Sequence, residues 1–205
     1  MSSCCDGPTT EIPPEGAYRR VLVIVLGLNA TMFGVEMIAG MFAGSISLQA
    51  DALDFFADAA TYAITLIVLG WGPLWRSRAG LFKGFAMGLF GAWILTKTLL
   101  GLGDAQAPNS GIMGAVGLLA LAANVASAVL LYRFRGGDSN MNSAWLCSRN
   151  DAIGNLAVIA AASGVWMTGT AWPDLAVGAV IAGLALSASV RVIRQAGGEL
   201  KELAA

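Results

Sequence analysis

Histidine is absent from all 205 residues, and charge is scarce: Lys, Arg, Asp and Glu together make up 12% of the chain. Without imidazole, histidine-based acid–base catalysis and every zinc motif written with His are excluded, so a metal site would have to use carboxylate, thiolate or carbonyl ligands. A net charge of -1 with no basic stripe interleaved with aromatics gives no electrostatic reason to bind nucleic acid. Cysteine is rare as well. Cys4 and Cys5 are adjacent and Cys147 is far away, which reads as thiols rather than a disulfide framework. The tail pair either captures a soft ion or is an unassigned pair of reactive thiols. What the chain has in excess is apolar surface: 57% hydrophobic residues and a mean hydropathy of +0.70, far outside the range of an average soluble domain. Its principal partner is the lipid bilayer.

Apolar runs long enough to cross about 30 Å of hydrocarbon fall at 21–42, 47–69, 81–102, 112–132, 143–167 and 175–193. The first is too long for a signal-peptide core and predicts a retained span. Breakers separate the runs: Gly44-Ser45, Trp71-Gly72-Pro73, the stretch from Asp104 to Ser110, Gly136-Gly137-Asp138 and Trp172-Pro173-Asp174. In a six-helix zigzag, Arg19, Arg20, Arg76, Arg78, Lys83, Arg133, Arg135, Arg191, Arg194 and Lys201 all fall on one side, which the positive-inside rule assigns to the cytoplasm. The expectation is an all-α polytopic membrane protein with six transmembrane helices and both termini cytoplasmic, in a bacterial cytoplasmic (inner) membrane. Its predicted parts are a flexible cytoplasmic tail at 1–18, a six-helix transmembrane domain at 19–194 and a short cytoplasmic tail at 195–205 that leaves no room for a soluble C-terminal domain. Gly80, Gly84 and Gly88 put a stripe of small residues on the third helix. That stripe serves either as a dimer seam or as a packing surface within the protomer.

Acidic residues inside a span cost roughly 2.5 to 3.5 kcal/mol each on insertion scales, so their arrangement is informative. Asp51, Asp54 and Asp58 recur at spacings of three and four, which stacks their carboxylates on one face of the second helix. Like charges so stacked need a cation or protons. On the fifth helix Cys147 and Asp151 share a face at i and i+4. Asp58 lies roughly 16 to 18 Å below the outer end of its helix and Asp151 roughly 12 Å above the inner end of its own. The sum is close to the hydrocarbon thickness, so two oppositely directed helices bring Asp54, Asp58, Cys147 and Asp151 to one depth, a tetrahedral complement. Three carboxylates and a thiolate suit Zn²⁺ or Cd²⁺ better than Mg²⁺. The competing reading makes the acids structural, paired with Arg149, Lys97 or backbone groups. Asn29, Glu36, Asp51, Asn150 and Asn155 are candidates to line a pathway or to support the ligands, with helix–helix hydrogen bonding the alternative for Asn29 and Glu36. Arg149 either snorkels to the inner surface or neutralises an acid.

The strings Ser47-Leu48-Gln49-Ala50-Asp51-Ala52-Leu53-Asp54-Phe55-Phe56-Ala57-Asp58 and Ser143-Ala144-Trp145-Leu146-Cys147-Ser148-Arg149-Asn150-Asp151 each resemble the [HD]-x-x-x-D pattern of the cation diffusion facilitators. That resemblance covers roughly residues 20 to 194. It implies a six-helix metal/proton antiporter with Asp54, Asp58 and Asp151 as ligands, and Asn29 and Glu36 resemble a polar pair of the family's first helix. Cys147 stands where the family places His or Asp, and the family's cytoplasmic domain and His-rich loop have no counterpart here. A short form would dimerise through its membrane helices.

The resulting expectation is efflux of Zn²⁺ or Cd²⁺ from the cytoplasm by alternating access, with protons as counter-ions, no prosthetic group and no enzymatic activity. Co²⁺, Ni²⁺, Fe²⁺ and Hg²⁺ remain alternative cargoes. An enzyme reading attaches to Gly101-Leu102-Gly103-Asp104, which matches the Gly-x-Gly-Asp string of intramembrane aspartyl proteases. It lacks a Tyr-Asp partner elsewhere in the chain, and Asp104 falls where the helix runs into a polar loop. A structural or sensory membrane subunit, the third class, predicts no metal binding at all.

Overall fold

Glycine forms two of the corners of the chain. Gly44 and Gly169 adopt φ of 69° and 65°, the left-handed conformation that lets a helix end and the chain turn back. In the computed structural model, residues 15–68, 73–102, 106–135 and 139–203 are described. They form six helices and, among these residues, no strand: α1 (Glu15–Ala43), α2 (Ile46–Val68), α3 (Pro73–Gly101), α4 (Ser110–Tyr132), α5 (Ser139–Thr168) and α6 (Trp172–Glu202). Asn109 caps α4 by accepting from the Ile112 N–H at 3.1 Å, and a proline occupies the first turn of α6.

Several helices are longer than their apolar runs. α1 begins before residue 21, α3 before 81 and α5 before 143, while α6 continues past 193. A hydropathy window finds only the part of a helix that lies in hydrocarbon, and hydrogen bonding carries the helix on through charged residues at the membrane surface. Residues 15–18 and 195–202, expected as tail, are therefore helical. The rest of the N-terminal tail, with Cys4 and Cys5, lies outside the described residues, as do Trp71-Gly72, Asp104 and Gly136-Gly137-Asp138.

Five of the helices are long and apolar enough to cross a membrane; α2 is the exception, because its 23 residues carry three aspartates. The outward faces are apolar: Phe42, Phe82, Leu89, Leu100, Trp166 and Val180 are all exposed. In water such faces would be a liability, and in a bilayer they meet lipid tails. The fold is that of a polytopic membrane protein.

Packing pairs the helices as α3 with α6, α4 with α5 and α1 with α2. The glycine stripe of α3 decides its own alternatives. A Cβ on Gly84 would lie 2.7 Å from Ile193 Cγ1, and one on Gly88 would lie 2.7 Å from Ser189 Oγ. Ser189 Oγ also donates to the Gly84 carbonyl at 2.7 Å. The stripe is filled by α6 of the same protomer, so Gly80, Gly84 and Gly88 form a packing surface within the protomer and not a dimer seam.

Candidate metal centre

The acidic helix is placed at its first turn. Asp174, in the first turn of α6, is buried and receives four hydrogen bonds from the start of α2. Ser45 Oγ, Ser47 N and Ser47 Oγ donate to its Oδ1 at 2.7, 3.0 and 2.6 Å, and Ile46 N donates to Oδ2 at 2.7 Å. A carboxylate here satisfies amides that have no intrahelical partner and faces the positive end of the helix dipole. Gly178 permits the approach, since a Cβ there would sit 2.7 Å from Ile46 Cγ2. Gln49, one turn on, donates to the carbonyls of Gly40 at 3.2 Å and Ser45 at 2.8 Å and accepts from Lys97 at 2.8 Å.

With its start fixed, α2 turns Asp51, Asp54 and Asp58 toward the centre of the bundle. Asp51 and Asp58 are buried and Asp54 is half-buried. The Asp151 carboxyl group of α5 lies against Asp58 and within electrostatic reach of Asp54 and Asp51. Glu36 of α1, with no exposed surface, faces Asp51 and Asp54 from the other side. Three helices thus contribute to one file of carboxyl groups.

The lower end of the file is hydrogen-bonded. Tyr62 donates to Asp58 Oδ2 at 3.0 Å, and because that proton is committed, Ser148 Oγ donates to the Tyr62 oxygen at 3.2 Å. Lys83 of α3 donates to Thr61 Oγ1 and turns its ammonium group toward Asp58 and Cys147. A cavity of about 30 Å³ opens beside this group, lined by Asp58, Thr61, Tyr62, Thr65 and Cys147 together with Tyr18, Leu22 and Ala144. Thr65, Tyr18 and Ala144 lie on the side of Asp58 toward the arginine-rich helix ends.

Of the four ligands expected from the sequence, Asp58 and Asp151 are brought side by side, Asp54 sits a turn away, and Cys147 stands with an exposed side chain at the cavity's edge. Among the described residues no three Cys, Asp or Glu side chains are gathered as a preformed metal site. Asn150 is exposed and accepts from Arg149 at 3.3 Å, away from the acids. Arg149 also stacks over the Trp145 ring at 5.2 Å, so neither it nor Lys97 pairs with the acidic file. Asn29 and Asn155 are buried; Asn29 Oδ1 and both polar atoms of the Asn155 amide have no hydrogen-bond partner.

Other polar residues of the interior were not singled out from the sequence. Asn124 and Ser127, spaced by three on α4, are buried with Asn124 Oδ1 and Ser127 Oγ unpartnered. Their spacing in a helix otherwise apolar through its middle was a usable signal. Tyr62 stands one turn below Asp58, and that i, i+4 relation was legible too. The sequence places Lys83 on the basic side; its turn inward, like the reach of Asp174 to another helix, depends on tertiary contacts.

A multi-pass helix bundle with a file of buried acids at its centre presents a candidate intramembrane cation site. A family model described as the cation efflux transmembrane domain matches residues 75–200. The metal cation efflux system protein CzcD of Cupriavidus metallidurans is 31% identical over 181 residues, covering 82% of this chain and 57% of that protein. The zinc transporter ZitB of Escherichia coli is 25% identical over 205 residues, covering 92% and 64%. Metal tolerance protein A2 of Arabidopsis thaliana is 30% identical over 143 residues, covering 62% and 36%. The chain belongs to the cation efflux family, the cation diffusion facilitators. It spans less than two thirds of the length of these relatives.

Proposed function

We propose that the protein exports a divalent transition-metal ion, Zn²⁺ or Cd²⁺, from the cytoplasm across a bacterial inner membrane in exchange for protons, acting as a secondary transporter rather than an enzyme. The observation that carries this reading is the meeting of Asp58 on α2 with Asp151 on α5 inside the bundle, beside a cavity edged by Cys147. Two carboxylates in contact within a membrane are tenable only with protons or a cation between them, and a carrier that exchanges the two uses both states. Asp54, a turn from Asp58, and Cys147, at the cavity's edge, complete the ligand set as α2 and α5 close on the ion. The lining residues toward the basic helix ends make that side, the cytoplasmic side under the positive-inside rule, the route of entry.

The names of CzcD and ZitB, a metal cation efflux protein and a zinc transporter, support this class of cargo. Soft thiolate beside carboxylate favours Zn²⁺ and Cd²⁺ over Mg²⁺. Dimerisation, if through membrane helices, uses a surface other than the filled glycine stripe of α3. The test is flux into proteoliposomes carrying a zinc dye. Wild type should move Zn²⁺ inward as protons run outward down their gradient, and Asp58→Asn should reduce the rate to that of empty vesicles. Equal flux in both would remove Asp58 from the site and the reading with it.

A further inference from the structure

The acidic file extends farther from the cavity than one metal site needs. Glu36 is 0% exposed with both carboxylate oxygens lacking a hydrogen-bond partner, and Asp51 is 2% exposed with Oδ2 in the same condition. The two groups face each other across the α1–α2 interface, and Glu36 also looks onto Asp54. One turn from them along α1 and α2, Met32 and Phe55 join Ala120 in an apolar core cluster. Among the described residues no basic side chain compensates them. Lys97 is engaged by Gln49, and Lys83 lies at the opposite end of the file beside Asp58. Beyond each other, these buried carboxyl groups have neither a donor nor a counter-charge, a costly arrangement for a membrane interior to hold ionised, so they point to a ligand.

We propose that Glu36 and Asp51 form a second binding station that holds a divalent metal ion between the Asp58–Asp151 centre and the outer end of the bundle. The inference rests on the metal-carrier reading and adds to it a place where the ion stops on its way out. Asp51 and Asp58 are two turns apart on α2, about 10 Å along the axis, and Asp54 stands between them as a stepping point. A doubly charged ion matches the two carboxylates in charge. The donor sets also differ in softness, with oxygen alone at Glu36–Asp51 and a thiol at the edge of the inner centre. A borderline-soft ion therefore binds the outer station more weakly, and affinity falls in the direction of release.

Zn²⁺ binding to purified full-length chain in lipid nanodiscs, measured by equilibrium dialysis, tests the station separately from the inner centre. Asp58→Asn/Asp151→Asn removes the inner pair and Glu36→Gln/Asp51→Asn removes the outer one, each with side chains of nearly unchanged shape. The expected result is about one Zn²⁺ per chain retained in the inner-pair variant, at least tenfold weaker than in wild type, and none in the fourfold variant. Loss of all Zn²⁺ from the inner-pair variant, with wild-type binding in the Glu36→Gln/Asp51→Asn protein, overturns the station and leaves the inner centre standing. Equal Zn²⁺ binding by the inner-pair and fourfold variants also overturns it. Loss of all Zn²⁺ from Glu36→Gln/Asp51→Asn, with wild-type affinity in the inner-pair variant, keeps the station and instead refutes the Asp58–Asp151 centre. Elution of each variant at the wild-type volume on size exclusion shows that lost binding is not lost folding.

Discussion

Replacing Asp174 by alanine should destabilise the protein by about 3 kcal/mol, although the residue lies outside the acidic file. The carboxylate is 1% exposed and accepts from Ser45 Oγ, Ser47 Oγ and the backbone N–H groups of Ile46 and Ser47. The two hydroxyls are 3.3 Å apart and can turn toward each other when the acceptor goes. The two amides cannot turn. Each buried donor left without a partner costs about 1 to 3 kcal/mol, and loss of the charge at the helix N-terminus adds up to about 2. Relief of the buried carboxylate's own desolvation offsets part of that sum, which leaves about 3 kcal/mol. For a chain of this size, about 2 to 4 °C per kcal/mol converts the loss into a fall in Tm of roughly 6 to 12 °C. The assay is thermal unfolding in detergent at a fixed scan rate, followed by Trp fluorescence. Asp174→Asn, which keeps one acceptor oxygen but presents an NH₂ to the same donors, should fall between alanine and wild type. A shift below about 2 °C for alanine would refute the claim that this carboxylate fastens α2 to α6.

Cys147→Ser should weaken Cd²⁺ binding about tenfold more than Zn²⁺ binding in calorimetric titration, because oxygen replaces sulfur at the cavity's edge; equal losses would take the thiol out of the ligand set. Zn²⁺ affinity should fall as pH falls, since carboxylates and thiolate bind metal only when deprotonated, and titrations in buffers of different ionisation enthalpy should register proton release. Gly84→Leu should cost about 1 to 3 kcal/mol in the same unfolding assay, because even its Cβ would meet Ile193 Cγ1 at 2.7 Å and the Ile193 backbone nitrogen at 3.3 Å.

Helix number and the acidic face of α2 were legible because both are local: hydrophobic length sets the first and the three-and-four spacing of Asp51, Asp54 and Asp58 sets the second. The depth argument also brought Asp58 and Asp151 to one level, and the structure sets them side by side. Helix ends were less legible, since hydropathy marks where hydrocarbon stops and the backbone hydrogen bonds of α1 and α6 continue beyond it. The direction of Cys147 was harder still. Position i, i+4 with Asp151 gives a shared face, but a face is broad enough for one side chain to point into the bundle and the other to its rim. Lys83 and Asp174 were illegible in function because each acts on a different helix, through contacts that no spacing within one helix encodes.

The placement of α2 joins stability to the proposed transport. Its first turn is fastened to α6 by Asp174, and α6 packs along α3, whose glycines admit Ile193 and Ser189 at close range. On its other side α2 lies along α1, whereas α5 packs chiefly on α4 and touches α2 much less. The acids therefore meet across one of the more lightly packed helix contacts in the bundle. Close-packed interfaces resist sliding, and a lightly packed one lets two bodies shift with little loss of buried contact. A metal ion bridging α2 and α5 would supply the cohesion that this contact lacks, and protons replacing it would remove that cohesion. Under the proposed exchange, that difference in bridging between the two occupants would supply the differential affinity that alternating access requires.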